Sequence, residues 1–495
     1  MAPTRLDVRI ACLLAVCSFL YTVLFVHGHF AGTDEVEMFE QTKSLFERGD
    51  FAVPPGVNTF PGKDGRPYAI FAVGQSTLAV PFYALGKIAD RTLPRAWAER
   101  LAGLDSWSGT VQWGGTVPIF MVGLYSPTIC ALLVGLFYLS ERRFGVSAAS
   151  AVLASALLAA TTYVSTMSLF FLQHMTEALL LLGGFYCFYS FKQGKGWTVL
   201  AAGSLVASLT LLVRIPGCMA APALVAYVGS LLRRRAAEGT TRGTVGRALL
   251  CLGIPAAAVL AVHFAVNLWR FGTWIRSPYI DQIQAFTGPV YLGVYGFLLS
   301  PGGSIFVYSP LLLLLRWTLP PFWRSHRAEC ATVLGVALSF LLACSKNEDW
   351  TGLYSAPGPR FLFSVIPFLM LPLGLWLDGP KRRLPRITLW SLATVGLAVQ
   401  LVTMLARWGN VIEIMQWKRF VPPLSFVWIP DWCPIVGCWM ALAQGSVAPL
   451  LWKLLFGGPG VEAAPAGAAL LLAVWAACFS SALILLLRGV RSVAD

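Results

Sequence analysis

Apolar runs of about 20 residues recur from one end of this sequence to the other, each long enough for a helix to cross a hydrocarbon core of about 30 Å. The runs fall at 8–28, 114–139, 147–166, 173–191, 197–213, 216–232, 248–268, 304–320, 329–345, 360–377, 387–406 and 466–487. Of the 495 residues 57% are hydrophobic and 12% charged, against about a quarter charged in an ordinary globular domain. Such a chain has no room for a large soluble domain. The expected fold is an all-α, polytopic transmembrane helix bundle of about twelve spans, forming one domain over residues 1–495. Arg5 and Arg9 before the first run resemble a signal peptide, but the run is long and lacks a small-x-small cleavage pattern. It reads as a retained anchor.

The net charge of +14 is an orientation signal. Arg142–Arg143, Lys192 and Lys195, Arg233–Arg235, Arg324 and Arg327, Lys381–Arg383 and Arg488 with Arg491 all fall on the side of the N-terminus. The positive-inside rule makes that side, and both termini, cytoplasmic. Acidic residues such as Asp34, Glu35, Glu37, Glu40 and Glu47 fall on the other side. Nucleic acid is therefore not an expected partner, and membrane lipids are. Eleven cysteines are scattered, mostly inside spans, where a free thiol behaves as a small hydrophobe. Cys433 and Cys438 share an external loop, and a short disulfide and two free thiols fit the spacing equally well. The chain has no HExxH, GxxxxGK[ST] or CxxC pattern, so no metal site or cofactor is expected.

The external segments are unequal: a long first loop at 29–113, then 269–303, 346–359 and a small excursion at 407–465. Cytoplasmic connections are short and basic, so chemistry is expected outside. In the first loop, Val36, Phe39 and Phe46 recur at helical spacing opposite Glu40, Lys43 and Glu47. This predicts an amphipathic interfacial helix, ended by the consecutive prolines of GDFAVPPG. Residues 74–89, interrupted by Pro81, predict a second interfacial or re-entrant helix.

Asp34 and Glu35 follow the first span by a few residues. Adjacent carboxylates near the headgroup layer disfavour each other's ionisation, and a group so placed suits a general base. An acidic helix cap at Thr33 or Asp34 is the competing reading. KNEDWTGLYSAPGPRF concentrates Lys346, Glu348, Asp349 and Arg360 in one short loop. An Arg fork and a Lys point charge suit a lipid-linked phosphate, while snorkelling toward headgroups accounts for either cation alone. Gly358 and Pro359 predict a turn that holds Arg360 at the outer mouth of the tenth span. His174 and Glu177, three apart at the outer end of the fourth span, share a helix face. They fit either a cavity lining or an interhelical hydrogen bond. Arg214 sits at the outer end of the fifth span, again between phosphate binding and snorkelling.

Taken together these residues resemble the GT-C superfamily of membrane glycosyltransferases, in particular bacterial relatives of protein O-mannosyltransferases and of the lipid A aminoarabinose transferase. TDE at Thr33–Glu35 is similar to that family's acidic motif at the start of its first external loop. GRPYAIFAVGQSTLAVPFYALG, LQHMTEA, LLSPGGSIFVYSP and WTGLYSAPGPRFL resemble later motifs in order. The similarity covers most of residues 1–377 and thins beyond, where better-known relatives often carry a soluble domain.

The resemblance implies an inverting transfer from a polyprenyl-phosphate-linked sugar donor to a hydroxyl on a glycan, lipid or protein acceptor. Asp34 would be the catalytic base, with Glu35, His174, Glu177, Arg214, Lys346, Asp349 and Arg360 binding substrate. Residues 407–465 leave the acceptor open. The expected location is a bacterial inner membrane, with the active site on its external face. A secondary transporter and a non-catalytic lipid-binding assembly factor are the rival classes. The absence of two similar halves and the long external loops speak against a transporter.

Overall fold

The structure, a computed structural model, describes residues 3–102, 106–107, 112–113, 116–237, 242–274, 278, 286–348, 350–353, 355–380, 383–415, 425–456 and 463–494. Helix α1 (Arg5–Val23) opens with a capping box in which the Asp7 N–H donates to Thr4 Oγ1 and the Thr4 N–H donates to Asp7 Oδ2. That arrangement satisfies orphan donors that lipid could not. Asp7 also pairs with Arg142 at 2.6 Å, which ties α1 to the helix Val117–Arg143. Gly135 lets the two helices approach closely, since a Cβ there would lie 3.1 Å from Ala11 O.

The all-helical bundle agrees with the sequence expectation. Among the described residues, eight helices are long and apolar enough to cross a membrane by length and composition: Arg5–Val23, Val117–Arg143, Ile215–Arg235, Val245–Phe271, Arg327–Ser345, Arg360–Asp378, Arg383–Leu405 and Pro465–Val493. Each matches one predicted run. Three others form shorter or more polar helices, Ala148–Thr161, His174–Lys192 and Trp197–Val213. The run at 304–320 is broken into Ile305–Tyr308, a 3-10 turn Pro310–Leu314 and Leu315–Ser325. Pro310 has no N–H to continue the helix, and Ser309 leaves the helical region with φ −139° and ψ 69°. Large apolar side chains point outward from the peripheral helices, among them Leu249, Leu250, Ile254, Leu470 and Val474. A lipid-facing surface accounts for an exposed apolar area that water would penalise. The chain is an integral membrane protein.

Residues 29–92 form two helices and a hairpin, the second helix packing against the start of the Val117–Arg143 helix. Helix α2 (Thr33–Arg48) buries Val36 and Phe39, as the periodicity predicts, but also Glu37, Gln41 and Thr42, while Phe46 stays exposed. It ends at Gly49, whose φ of 71° is the left-handed C-cap that glycine adopts without strain. A short antiparallel hairpin follows, β1 (Thr59–Pro61) paired with β2 (Pro67–Ala69). Arg270 anchors it by donating to the carbonyls of Phe71 and Ala69. Helix α3 (Gly74–Thr92) is not among the spanning helices and packs against α2, where Ser76 Oγ donates to Gln41 Oε1 at 2.7 Å.

Candidate active site

Asp34 occupies the first turn of α2, and three side chains from two separate segments donate to its carboxylate. Oδ2 accepts from Arg360 Nη1 at 2.8 Å and from Ser355 Oγ at 3.0 Å, and Oδ1 accepts from Asn58 Nδ2 at 3.2 Å. The cap of α2 is formed by Glu35 instead. Its Oε2 accepts the Ala31 and Gly32 N–H groups at 2.7 and 3.1 Å, and its Oε1 accepts the Phe171 N–H at 2.6 Å. Burial pushes the Glu35 carboxyl up to about 7, against three backbone donors that favour the charge and with Asp34 adding repulsion. Of the two adjacent acids, one is thus consumed in structure and the other faces outward.

What Asp34 faces is a cavity of about 740 Å³ lined also by Asn58, His174, Arg214, Lys346, Arg360 and Phe361. Arg360 begins the helix Arg360–Asp378 and is aimed by the turn before it. Gly358 has φ 88°, and its absent Cβ would strike the Tyr308 and Tyr163 rings, while the Arg360 N–H donates to Gly358 O at 2.9 Å. The Tyr163 hydroxyl donates to Pro357 O and fixes the same turn from below. The guanidinium lies along Gly352, where a Cβ would come within 2.6 Å of Nε. That Nε is buried and has no hydrogen-bond partner among the described residues.

Phe361 is the common wall of the cationic side. Arg360 Cζ lies 5.0 Å and Arg214 Cζ 5.6 Å from its ring centre, and the His174 ring is 6.1 Å away. The two arginine distances are in the range of cation–π attraction. Arg214 is buried and pairs with Glu177, Nη1 to Oε2 at 2.9 Å and to Oε1 at 3.2 Å. Ser364 Oγ donates to the same Oε2 at 2.6 Å. Both nitrogens of His174 are buried without hydrogen-bond partners among the described residues. Lys346 is exposed at the cavity rim, at the C-terminus of the helix Arg327–Ser345.

Five residues singled out in the sequence therefore meet in one cavity: Asp34, His174, Arg214, Lys346 and Arg360. Glu177 stands one layer behind, holding Arg214, and Glu35 stands behind Asp34. Neither lines the cavity. Asp349 lies outside the described residues. Asn58, Ser355 and Phe361 join the site without having been predicted. Asn58 follows the break GDFAVPPG, in a turn-rich stretch where a polar residue carries no signal of its own. Ser355 and Phe361 sit within the Arg360 motif, where attention to charge passed over them. Cys433 and Cys438 are both free and buried.

Residues 103–271 match the family model described as dolichyl-phosphate-mannose-protein mannosyltransferase. The matched stretch contains His174, Glu177 and Arg214 and excludes Asp34, Lys346 and Arg360. No curated protein matches the chain by sequence. Among solved structures, the chain is similar to ArnT from Cupriavidus metallidurans bound to undecaprenyl phosphate. There the identity is 17% over 96% of this chain and 76% of the other, with a TM-score of 0.46. The apo form of the same protein gives 16% identity over 98% and 77%, with a TM-score of 0.49. The Saccharomyces cerevisiae Pmt1–Pmt2 complex bound to its sugar donor gives 17% over 54% and 34%, with a TM-score of 0.38. Over residues 103–271 the family match agrees with the resemblance to protein O-mannosyltransferases drawn from the motifs.

Proposed function

We propose that this chain is an inverting glycosyltransferase that moves a sugar from a polyprenyl-phosphate carrier to a hydroxyl of a glycan, lipid or protein acceptor. The observation that carries the reading is the placement of Asp34 in a cavity whose other charged side chains, among the described residues, are Arg214, Lys346 and Arg360. A sugar phosphodiester brings one negative charge and a leaving group that gains charge as the glycosidic bond breaks. Cations placed around it in a site shielded from water stabilise that gain. The family model matched by residues 103–271 describes enzymes named for a lipid-phosphate sugar, in keeping with this donor class.

In the reaction, Asp34 takes the proton of the acceptor hydroxyl as its oxygen attacks the anomeric carbon. The bond from that carbon to the phosphate oxygen breaks, its electron pair leaving with the lipid phosphate, and attack from the opposite face inverts the centre. Lys346 and Arg360 hold the phosphate. Arg214 and His174 face the remaining cavity, where sugar hydroxyls need donors and acceptors. Acidic residues on the Asp34 side and basic clusters on the other support a site on the external face with both termini cytoplasmic, and the resemblance to bacterial enzymes supports a bacterial inner membrane.

Asp34→Asn decides the assignment. Asn keeps size and hydrogen bonding but cannot take the proton, so turnover of a synthetic polyprenyl-phosphate sugar by the purified variant falls about 10²–10⁴-fold with donor binding retained. Parental turnover in that variant refutes the role of Asp34 as base.

A further inference from the structure

We propose that Glu37 is a positioning residue for Asp34, acting through Asn58. This rests on the reading of Asp34 as the general base. Glu37 lies three residues after Asp34 on the same face of α2, where positions one turn apart are neighbours. It is 7% exposed. Its Oε1 accepts the backbone N–H of Asn58 at 2.8 Å, and the carbonyl of Asn58 accepts the Ile70 N–H at 2.9 Å. With both backbone groups held, the Asn58 side chain is aimed, and its amide donates to Asp34 Oδ1 at 3.2 Å. Gly56 allows the chain to approach, since a Cβ there would lie 2.8 Å from Glu37 Oε1.

The arrangement has a purpose once a donor is considered. Arg360 and Ser355 hold Oδ2 of Asp34, and the phosphate competes for Arg360. Asn58 is then the contact that keeps the other oxygen in place for the acceptor hydroxyl. Glu37 is also an unusual group to bury for structure alone, because its Oε2 has no hydrogen-bond partner among the described residues and native folds rarely leave such atoms unpaired.

Burial pushes the Glu37 carboxyl up to about 7, opposed by the Asn58 N–H and helped by the charge on Asp34. Among the described residues Asp34 is the charged group acting on it. An ionised acceptor holds an N–H more firmly than a neutral one. The grip on Asn58 is therefore full above that range and loosens as pH falls through it.

The test is transfer from a synthetic polyprenyl-phosphate sugar by the full-length protein in detergent, from about pH 5.5 to about 9, with donor KM and thermal midpoint measured beside it. Glu37→Gln keeps an acceptor oxygen for the Asn58 N–H. It is expected to lower kcat about tenfold with donor KM unchanged and the midpoint no lower than the parent's, and to flatten the part of the rate profile near pH 7. Asn58→Ala, partly exposed and less exposed to folding failure, is expected to match it, and the double variant to be no slower than either single one. Parental kcat and pH profile in Glu37→Gln, or effects of the two substitutions that multiply, would overturn the proposal. An inactive Asp34→Asn beside such a result leaves the base assignment standing, whereas a fully active Asp34→Asn removes both.

Discussion

Arg360 and Asp34 hold each other at 2.8 Å, so the cation assigned to the carrier phosphate and the carboxylate assigned to the acceptor proton form one ion pair. Their side chains are 11% and 15% exposed, partly shielded from water, where such a pair is stronger than at an open surface. A phosphate reaching Arg360 competes with Asp34 for the same guanidinium. In the proposed reaction, donor binding thereby loosens the base at the moment it is needed.

Two cations are predicted to act in donor binding with different costs to the fold. Lys346→Ala removes an exposed ammonium and should weaken binding of a polyprenyl phosphate about tenfold with the thermal midpoint unchanged. Arg360→Ala should weaken it further, and Arg360→Lys should recover part of the loss, because the planar fork is gone. Equal donor affinity in all three variants would return both side chains to contacts with lipid headgroups.

Gly352→Ala touches no substrate in this reading yet should behave as a donor-binding variant. The position has φ 57° and its Cβ would meet Arg360 Nε. The added methyl costs about 1–2 kcal/mol in backbone strain and displaces the guanidinium from Asp34. Titration with polyprenyl phosphate should show an affinity loss approaching that of Arg360→Ala.

Arg214 and Glu177 should reveal themselves first in stability. The pair is 5% and 0% exposed, and removing one partner strands the other charge, at a cost of about 3–5 kcal/mol. Arg214→Ala should therefore lower the thermal midpoint in detergent sharply. Arg214→Met combined with Glu177→Leu should recover much of it, but not activity. A stable Arg214→Ala protein would mean that the pair contributes little.

Glu35 and Glu37 set a stability trend with pH. Both carboxyls are pushed up to about 7 by burial, above the ordinary 4.5. Between these values the folded chain keeps protons that the unfolded chain releases, so stability falls as pH rises through the window and levels off above it. Glu37→Gln should flatten part of this slope in thermal unfolding at stepped pH. An unchanged slope would show that the carboxyl ionises as it does in water.

The runs of apolar residues determined the helical bundle, because a segment that crosses lipid must satisfy its own backbone and can do so in few ways. The charge asymmetry, the amphipathic α2 and the turn at Gly358 were legible for the same reason: each is a local pattern with a local cause. Asp34, His174, Arg214, Lys346 and Arg360 were legible as charged or polar residues at helix ends, but not as neighbours. Their convergence depends on how helices pack, and Asp34 lies 326 residues from Arg360. The division of labour between Asp34 and Glu35 was decided only by the tertiary structure. Which acid caps the helix depends on where the Phe171 N–H arrives, and which one faces the cavity depends on Arg360, Ser355 and Asn58. These groups come from three separate segments, and hydrogen bonds between such segments leave no spacing in the sequence.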